Sequence, residues 1–328
     1  MKFLKQNPSS KTVLYASIVF ISASIMIVLF LLRNNTSESI SPLMLSTIPT
    51  PYPLPTQVYD SPPYLITVIR QVFRKKEQLN PSQVANDGQQ QAENEYFDLY
   101  SENDYLPVDI QWWQKESEQV YEYVSKRLDA TVTEKVIVIF VPPNSENCAP
   151  RGTTFHEQQP IIAIFADKDT SKEQILAVLA HELGHVFIHQ KYENLSDVAL
   201  NEGMATWAAG NYWKGWKGLD FNSGVIALVN DKTYLPLSQN FDMSKAYDSD
   251  SPDCIIHRDI LLTELASFLD YLIQNYGLEK LAALFNVPQP ESTNNQRIIY
   301  PPNFKDVYGL EFNQLEYEWV KTLFPPSQ

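Results

Sequence analysis

The stretch His181-Glu182-Leu183-Gly184-His185 places two imidazoles four residues apart. On a helix this spacing puts them one turn apart on one face, close enough to share a metal ion. Glu182, beside the first histidine, can reach a water at such an ion without being a ligand. The set suits metal-assisted hydrolysis, in which the ion acidifies water and the carboxylate takes its proton during attack on a carbonyl. A third donor follows in Asn201-Glu202-Gly203-Met204-Ala205, with 16 residues between His185 and Glu202. That is room for a turn and an antiparallel return, so Glu202 can face the histidines across a cleft. Two histidines and one glutamate leave one position of a tetrahedral ion open, as catalysis requires. By position alone Glu202 would be a solvated helix residue. Its small neighbours Gly203 and Ala205 argue for close packing instead.

The elements that must hold these residues are legible. Thr170 with Glu173, and Ser171 with Gln174, are helix start signals. Apolar residues at 175, 176, 178, 179, 183, 186 and 187 bury much of the helix that follows. Ser196 is a plausible N-cap for a second helix, Asp197 to about Trp213, which carries Glu202. Ahead of the motif, Pro107 to Leu128 has helical periodicity, with Trp112 and Trp113 as core residues. Val136–Val141, Thr153–Phe155 and Ile161–Phe165 read as strands. A strand edge beside the cleft could hold an extended peptide by backbone hydrogen bonds. His156 reads as an ordinary loop histidine. Residues 81–94 are polar and Gln-rich and read as loop, and 64–79 as a helix stopped at Asn80-Pro81. After the second helix, 214–256 is loop-rich and aromatic. A helix over Arg258–Tyr276 is capped by Gly277. A short helix over 278–285, a loop over 287–307 and an amphipathic helix over 310–323 complete the chain.

Composition sets the context. The chain has 328 residues, 44% hydrophobic, with a formal net charge of -14. Four basic residues and no acidic one precede residue 34, so the remainder is more acidic still. That argues against nucleic-acid binding, which needs basic surface. Residues 13–32 carry no charge and suffice for a membrane-spanning helix. Three lysines precede the run against Arg33 after it, so residues 1–12 are expected in the cytoplasm and the rest outside. A cleaved signal peptide competes, but the run is long for one and no A-x-A site follows. Residues 34–63, with alternating prolines at 49, 51, 53 and 55, read as an extended linker. The domain is then 64–328, core 136–285, with 64–130 either part of the fold or a prosegment. Cys148 and Cys254 are the only cysteines. A disulfide between them is left open, and without C-x-x-C spacing they do not suggest a structural zinc site.

Together, His181-Glu182-Leu183-Gly184-His185, Asn201-Glu202-Gly203-Met204-Ala205 and the later run from Phe268 to Leu281 resemble the gluzincin branch of zinc metallopeptidases. More narrowly, they resemble peptidase MA-like domains, over roughly residues 136–285. The resemblance implies an α+β, zincin-like fold: a small mixed sheet in an upper lobe and a mainly helical lower lobe. It implies one zinc ion on His181, His185 and Glu202, with Glu182 as general base. There are departures. The thermolysin-like version has an aspartate four residues after the glutamate ligand, where Thr206 stands here. The aminopeptidase G-x-M-E-N is absent, which favours an endopeptidase. For the tyrosine or histidine that stabilises the oxyanion, Tyr247 and His257 are both candidates.

Two functions follow. One is a membrane-anchored, extracytoplasmic zinc endopeptidase acting on peptides or proteins. The other is a non-catalytic, peptidase-like binding or scaffold domain at the cell surface. The retained Glu182 counts against the second, since a pure binder has no need of a base.

Overall fold

The sheet that precedes the histidine motif is built around a strand with no polar residue. Val136–Val141 (β3), VIVIFV, is buried along nearly its whole length, as expected of a strand covered on both faces. The computed structural model describes residues 89–101, 105–143, 147–156, 159–192, 197–285 and 303–324. The expected anchor (13–32), linker (34–63) and helix over 64–79 lie outside them. Among the described residues no helix is long and apolar enough to cross a membrane.

Gln89–Glu93 (β1), Phe97–Ser101 (β2), Gly152–Phe155 (β4) and Ile161–Phe165 (β5) complete a five-stranded sheet in the order β1-β2-β3-β5-β4. The pairs β2/β3 and β3/β5 are parallel and the outer two antiparallel, so the sheet is mixed. The expectation of a loop over 81–94 fails at β1. Its sequence, QQQAE, has no apolar pattern because an edge strand is held by its backbone ladder to β2. Ile110–Leu128 (α1) links β2 to β3 and starts on an Asp109 cap, whose carboxylate accepts from Trp112 N at 2.9 Å. Its Trp113 meets Phe140 edge-on at 5.2 Å and lies 6.2 Å from Phe97. The part of 64–130 that is described is therefore integral to the sheet and its covering helix. The other sheet face carries a smaller cluster of Ile137, Ile139 and Ile161.

Lys172–Tyr192 (α2) is buried almost all round from Ile175 to Ile188. Its start uses Ser171, whose hydroxyl accepts from Gln174 N at 3.1 Å. Val198–Lys217 (α3) packs against it. Asp197, rather than Ser196, is the cap, accepting from Leu200 N at 2.8 Å. The helix runs past the expected end at Trp213 by kinking at Gly210 (φ 38°, ψ -106°). The Asn211 N–H, at the kink, donates to the Tyr123 hydroxyl at 2.8 Å. The expected loop over 214–256 is instead largely helical: Phe221–Asn230 (α4), Leu237–Asn240 (α5) and Ser244–Tyr247 (α6). These helices bury so few residues each that no long apolar period marks them. Cys254–Tyr276 (α7) begins four residues earlier than its periodicity indicates. Cys254 is disulfide-bonded to Cys148, with Cα atoms 5.6 Å apart, which resolves the open pairing. Leu278–Ala282 (α8), Phe304–Tyr308 (α9) and Phe312–Leu323 (α10) follow. The second of these overlaps the end of the expected loop over 287–307. The architecture is α+β: a small mixed sheet followed by helices.

Candidate metal centre

Close packing of helices brings the donors together. A Cβ added to Gly184 would lie 2.8 Å from Ala205 Cα, so α2 and α3 cross backbone to backbone at this pair. A Cβ on Gly203 would lie 2.9 Å from Leu269 Cδ1 and 3.0 Å from Leu265 Cβ, on α7. The small residues of both motifs are therefore what let α2, α3 and α7 meet. Glu202, between Asn201 and Gly203, is carried across the cleft to the histidines.

His181 Nε2, His185 Nε2 and a Glu202 carboxylate oxygen all lie within 4.8 Å of one another and could hold a metal ion. The separations are 3.1 Å between the two Nε2 atoms, 3.2 Å from His181 to Glu202 Oε2 and 3.8 Å from His185 to the same oxygen. A tetrahedral ion with bonds of about 2.0–2.1 Å sets neighbouring donors about 3.3 Å apart, so the three atoms fit one.

The tautomers follow from the partners of Nδ1. Thr206 donates its hydroxyl hydrogen to the Glu202 carbonyl at 2.8 Å, so at 3.1 Å it accepts from His181 Nδ1–H. His185 Nδ1–H donates to Asn201 Oδ1 at 3.1 Å. Both Nε2 atoms are then lone-pair donors pointing at one another and at a carboxylate. Only a proton or a cation between the three reconciles them. Hydrogen bonding at the far nitrogen is also how ligand imidazoles are oriented. Thr206 therefore supplies the partner that its departure from the thermolysin-like aspartate left undefined. Asn201 was not singled out, although it adjoins Glu202 in the sequence.

Around the donors, burial raises the cost of charge on Glu202. His185, His181 and the Tyr247 hydroxyl outweigh it and bring its pKa down to about 2. Glu182 is 6% exposed and accepts from Thr154 Oγ1 at 2.7 Å. Its carboxylate lies against the backbone of β4, where a Cβ on Gly152 would come within 2.6 Å of Oε1. Burial and the neighbouring Glu202 hold the Tyr247 phenol well above its ordinary pKa, with Glu182 adding to the effect. Tyr247 thus stands protonated beside both carboxylates. Tyr247 hydrogen-bonds to Glu202, whereas among the described residues His257 Nδ1 has no hydrogen-bond partner, so of the two candidates Tyr247 is the one joined to the centre. His156 is elsewhere, stacked on His189 with ring centroids 3.9 Å apart.

The helical kink and the disulfide complete the walls. Past Gly210, Trp213 comes within 6.4 Å of the His181 ring. From α7, Arg258 donates to the carbonyls of Cys148 and Ala149 at 3.2 and 2.9 Å, fixing the segment that enters β4. No model of a known protein family matches the chain, and no curated protein matches it.

Proposed function

We propose that the chain is a zinc-dependent endopeptidase with a zincin-like fold, anchored through residues 13–32 with its domain outside the membrane. The observation that carries this reading is the convergence of two Nε2 lone pairs and the Glu202 carboxylate, each histidine held at Nδ1, beside an independently held Glu182. A His2Glu set with an open fourth position suits zinc. Held by His181, His185 and Glu202, such an ion would supply Lewis acidity at a scissile carbonyl and would acidify the attacking water. Glu182 takes the proton from that water and passes it to the leaving amine. Thr154 keeps the carboxylate turned to the cleft while it does so. The Tyr247 phenol, protonated at all working pH values, donates to the oxygen where charge develops. Among the described residues β4 pairs only with β5, and it runs beside Glu182. Its outer side is where an extended substrate backbone would add as a further strand.

The test is elemental analysis of the full chain, with a screen of quenched fluorescent peptides. Wild type is expected to hold about one zinc per chain and to cleave peptides. Glu182→Gln is expected to keep the zinc and lose turnover by at least about a thousandfold. Undiminished turnover in that variant would overturn the assignment. Zinc without cleavage of any peptide would favour the binding-domain alternative.

A further inference from the structure

We infer that the wall beside His181 is a carboxylate-recognition subsite, in which Arg151 and Lys217, stacked on Trp216 and backed by Arg258, bind an acidic group of the ligand. The identity of that ligand as a peptide rests on the peptidase reading above.

The position comes from a chain of ring contacts. Trp213 lies 6.4 Å from the His181 ring and meets Trp216 edge-on at 5.3 Å. Lys217 Nζ lies 3.6 Å from the centre of Trp216, and the Arg151 guanidinium carbon 4.8 Å from it. A second link is covalent. Arg151 immediately precedes Gly152, against which the Glu182 carboxylate rests. The cations therefore border the site from both α3 and β4.

The charges there do not balance. Arg151 and Lys217 share one carboxylate, Asp259, through contacts of 2.6 and 3.0 Å from the guanidinium and 2.8 Å from the ammonium. Burial lowers the Lys217 pKa, Asp259 opposes this, and Arg151 and Arg258 lower it further, which places Arg258 close by as a third positive charge. The acidic groups that face Arg258 besides Asp259 are Tyr247, which is neutral, and Glu202, which is committed to the metal centre. Among the described residues at least one positive charge is left over, in a chain whose net charge is -14. Packing cations together is costly unless an anion joins them.

The cluster is also reachable and under-bonded. The side chains of Arg151 and Lys217 are 24% and 26% exposed. An ammonium has three hydrogens to donate, and among the described residues Lys217 gives one, to Asp259. Half-buried, solvent-reachable cations with spare donors on the flank of the candidate metal centre match a carboxylate. It could come from an acidic side chain or from a peptide's free C-terminus.

The experiment uses the full zinc-loaded chain and decapeptides of Ala, Gly and Leu blocked at both ends, with one Glu walked along the sequence. Gln counterparts and a Gln peptide with a free C-terminal carboxylate complete the set. Cleavage is measured with wild type, and binding by fluorescence anisotropy with Glu182→Gln. Glu at one position is expected to raise kcat/KM and tighten binding at least about fivefold over Gln, with the advantage shrinking in ~0.5 M NaCl. Lys217→Gln should bring that ratio close to one, while Lys321→Gln, a solvent-exposed lysine on α10, should leave it intact. An advantage confined to the free C-terminus would keep the subsite and assign the source to the terminal carboxylate. Equal behaviour of Glu, Gln and free-acid peptides in both measurements would overturn the subsite. Binding preference without cleavage would overturn the peptidase reading alone, and cleavage without preference the subsite alone.

Discussion

Glu202 and Glu264 are both glutamates on helices, both are withdrawn from solvent, and they do opposite things. At the candidate metal centre, Glu202 meets two imidazoles and a phenol that favour its charge, and its pKa falls to about 2 against the cost of burial. On α7, Glu264 is 0% exposed. Burial pushes its pKa well above the ordinary value. The Leu235 N–H works against this at 2.9 Å, and the neighbouring Glu316 adds to it. Glu316, from α10, accepts from the Tyr234 hydroxyl at 2.7 Å and from the Leu237 and Ser238 N–H groups. Together the two side chains tie residues 234–238 to α7 and α10, with Leu237 fully buried. The lesson is that burial alone does not make a carboxylate functional. What converges on it decides whether it is a ligand held charged or a backbone acceptor held neutral.

The sharpest way to break this contrast is to neutralise each glutamate in turn. Glu202→Gln is expected to weaken zinc binding by more than about a hundredfold, read by competition with a chromophoric chelator. Retained affinity would remove Glu202 from the ligand set. Thr206→Val takes away the acceptor for His181 Nδ1–H while keeping shape, and should weaken zinc binding about 10- to 100-fold. No change would mean the tautomer is fixed by something else.

Glu264→Gln should leave zinc binding alone and act on stability. The folded protein holds a proton on Glu264 that the unfolded chain releases near the ordinary 4.5. Wild-type stability from this group is therefore greatest below that value and falls as pH rises towards the raised folded pKa. Glu264→Gln keeps the acceptor for Leu235 and removes the titration. Its unfolding free energy, from denaturant titration, should match wild type near pH 4.5 and exceed it by more than about 1 kcal/mol at pH 8. A constant difference across that range would show that Glu264 is ionised in the core.

Legibility followed the length over which each signal repeats. β3 was found to the residue because six apolar residues between Lys135 and the Pro142-Pro143 stop have one reading. The interior of α2 was found from its period. β1 was missed because QQQAE has no pattern, its order coming from a backbone ladder. The helices within 214–256 were missed because four- to ten-residue helices show one or two core contacts each. At the site, His181, Glu182, His185 and Glu202 were legible as spacing. Thr206 was noticed as a departure and not as a partner, since a hydroxyl four residues along can replace an aspartate only where the imidazole comes near it. Gly152 and Thr154 had no local signal, because they act on Glu182 of α2 from a strand distant in sequence.

The sequence by itself determined the donor set, the helices that carry it, the acidic balance and the uncharged run at 13–32. These are properties of residue type and period, which neighbours along the chain express without help. Only the tertiary structure decided that the Nε2 atoms share one point, that Tyr247 rather than His257 stands beside them, and that Cys148 joins Cys254. It alone set Arg151 and Lys217 on one carboxylate. Each of these depends on side chains far apart in sequence meeting at a few ångströms, and at the donors that distance is set by how closely Gly184, Gly203 and Ala205 let the helices pack.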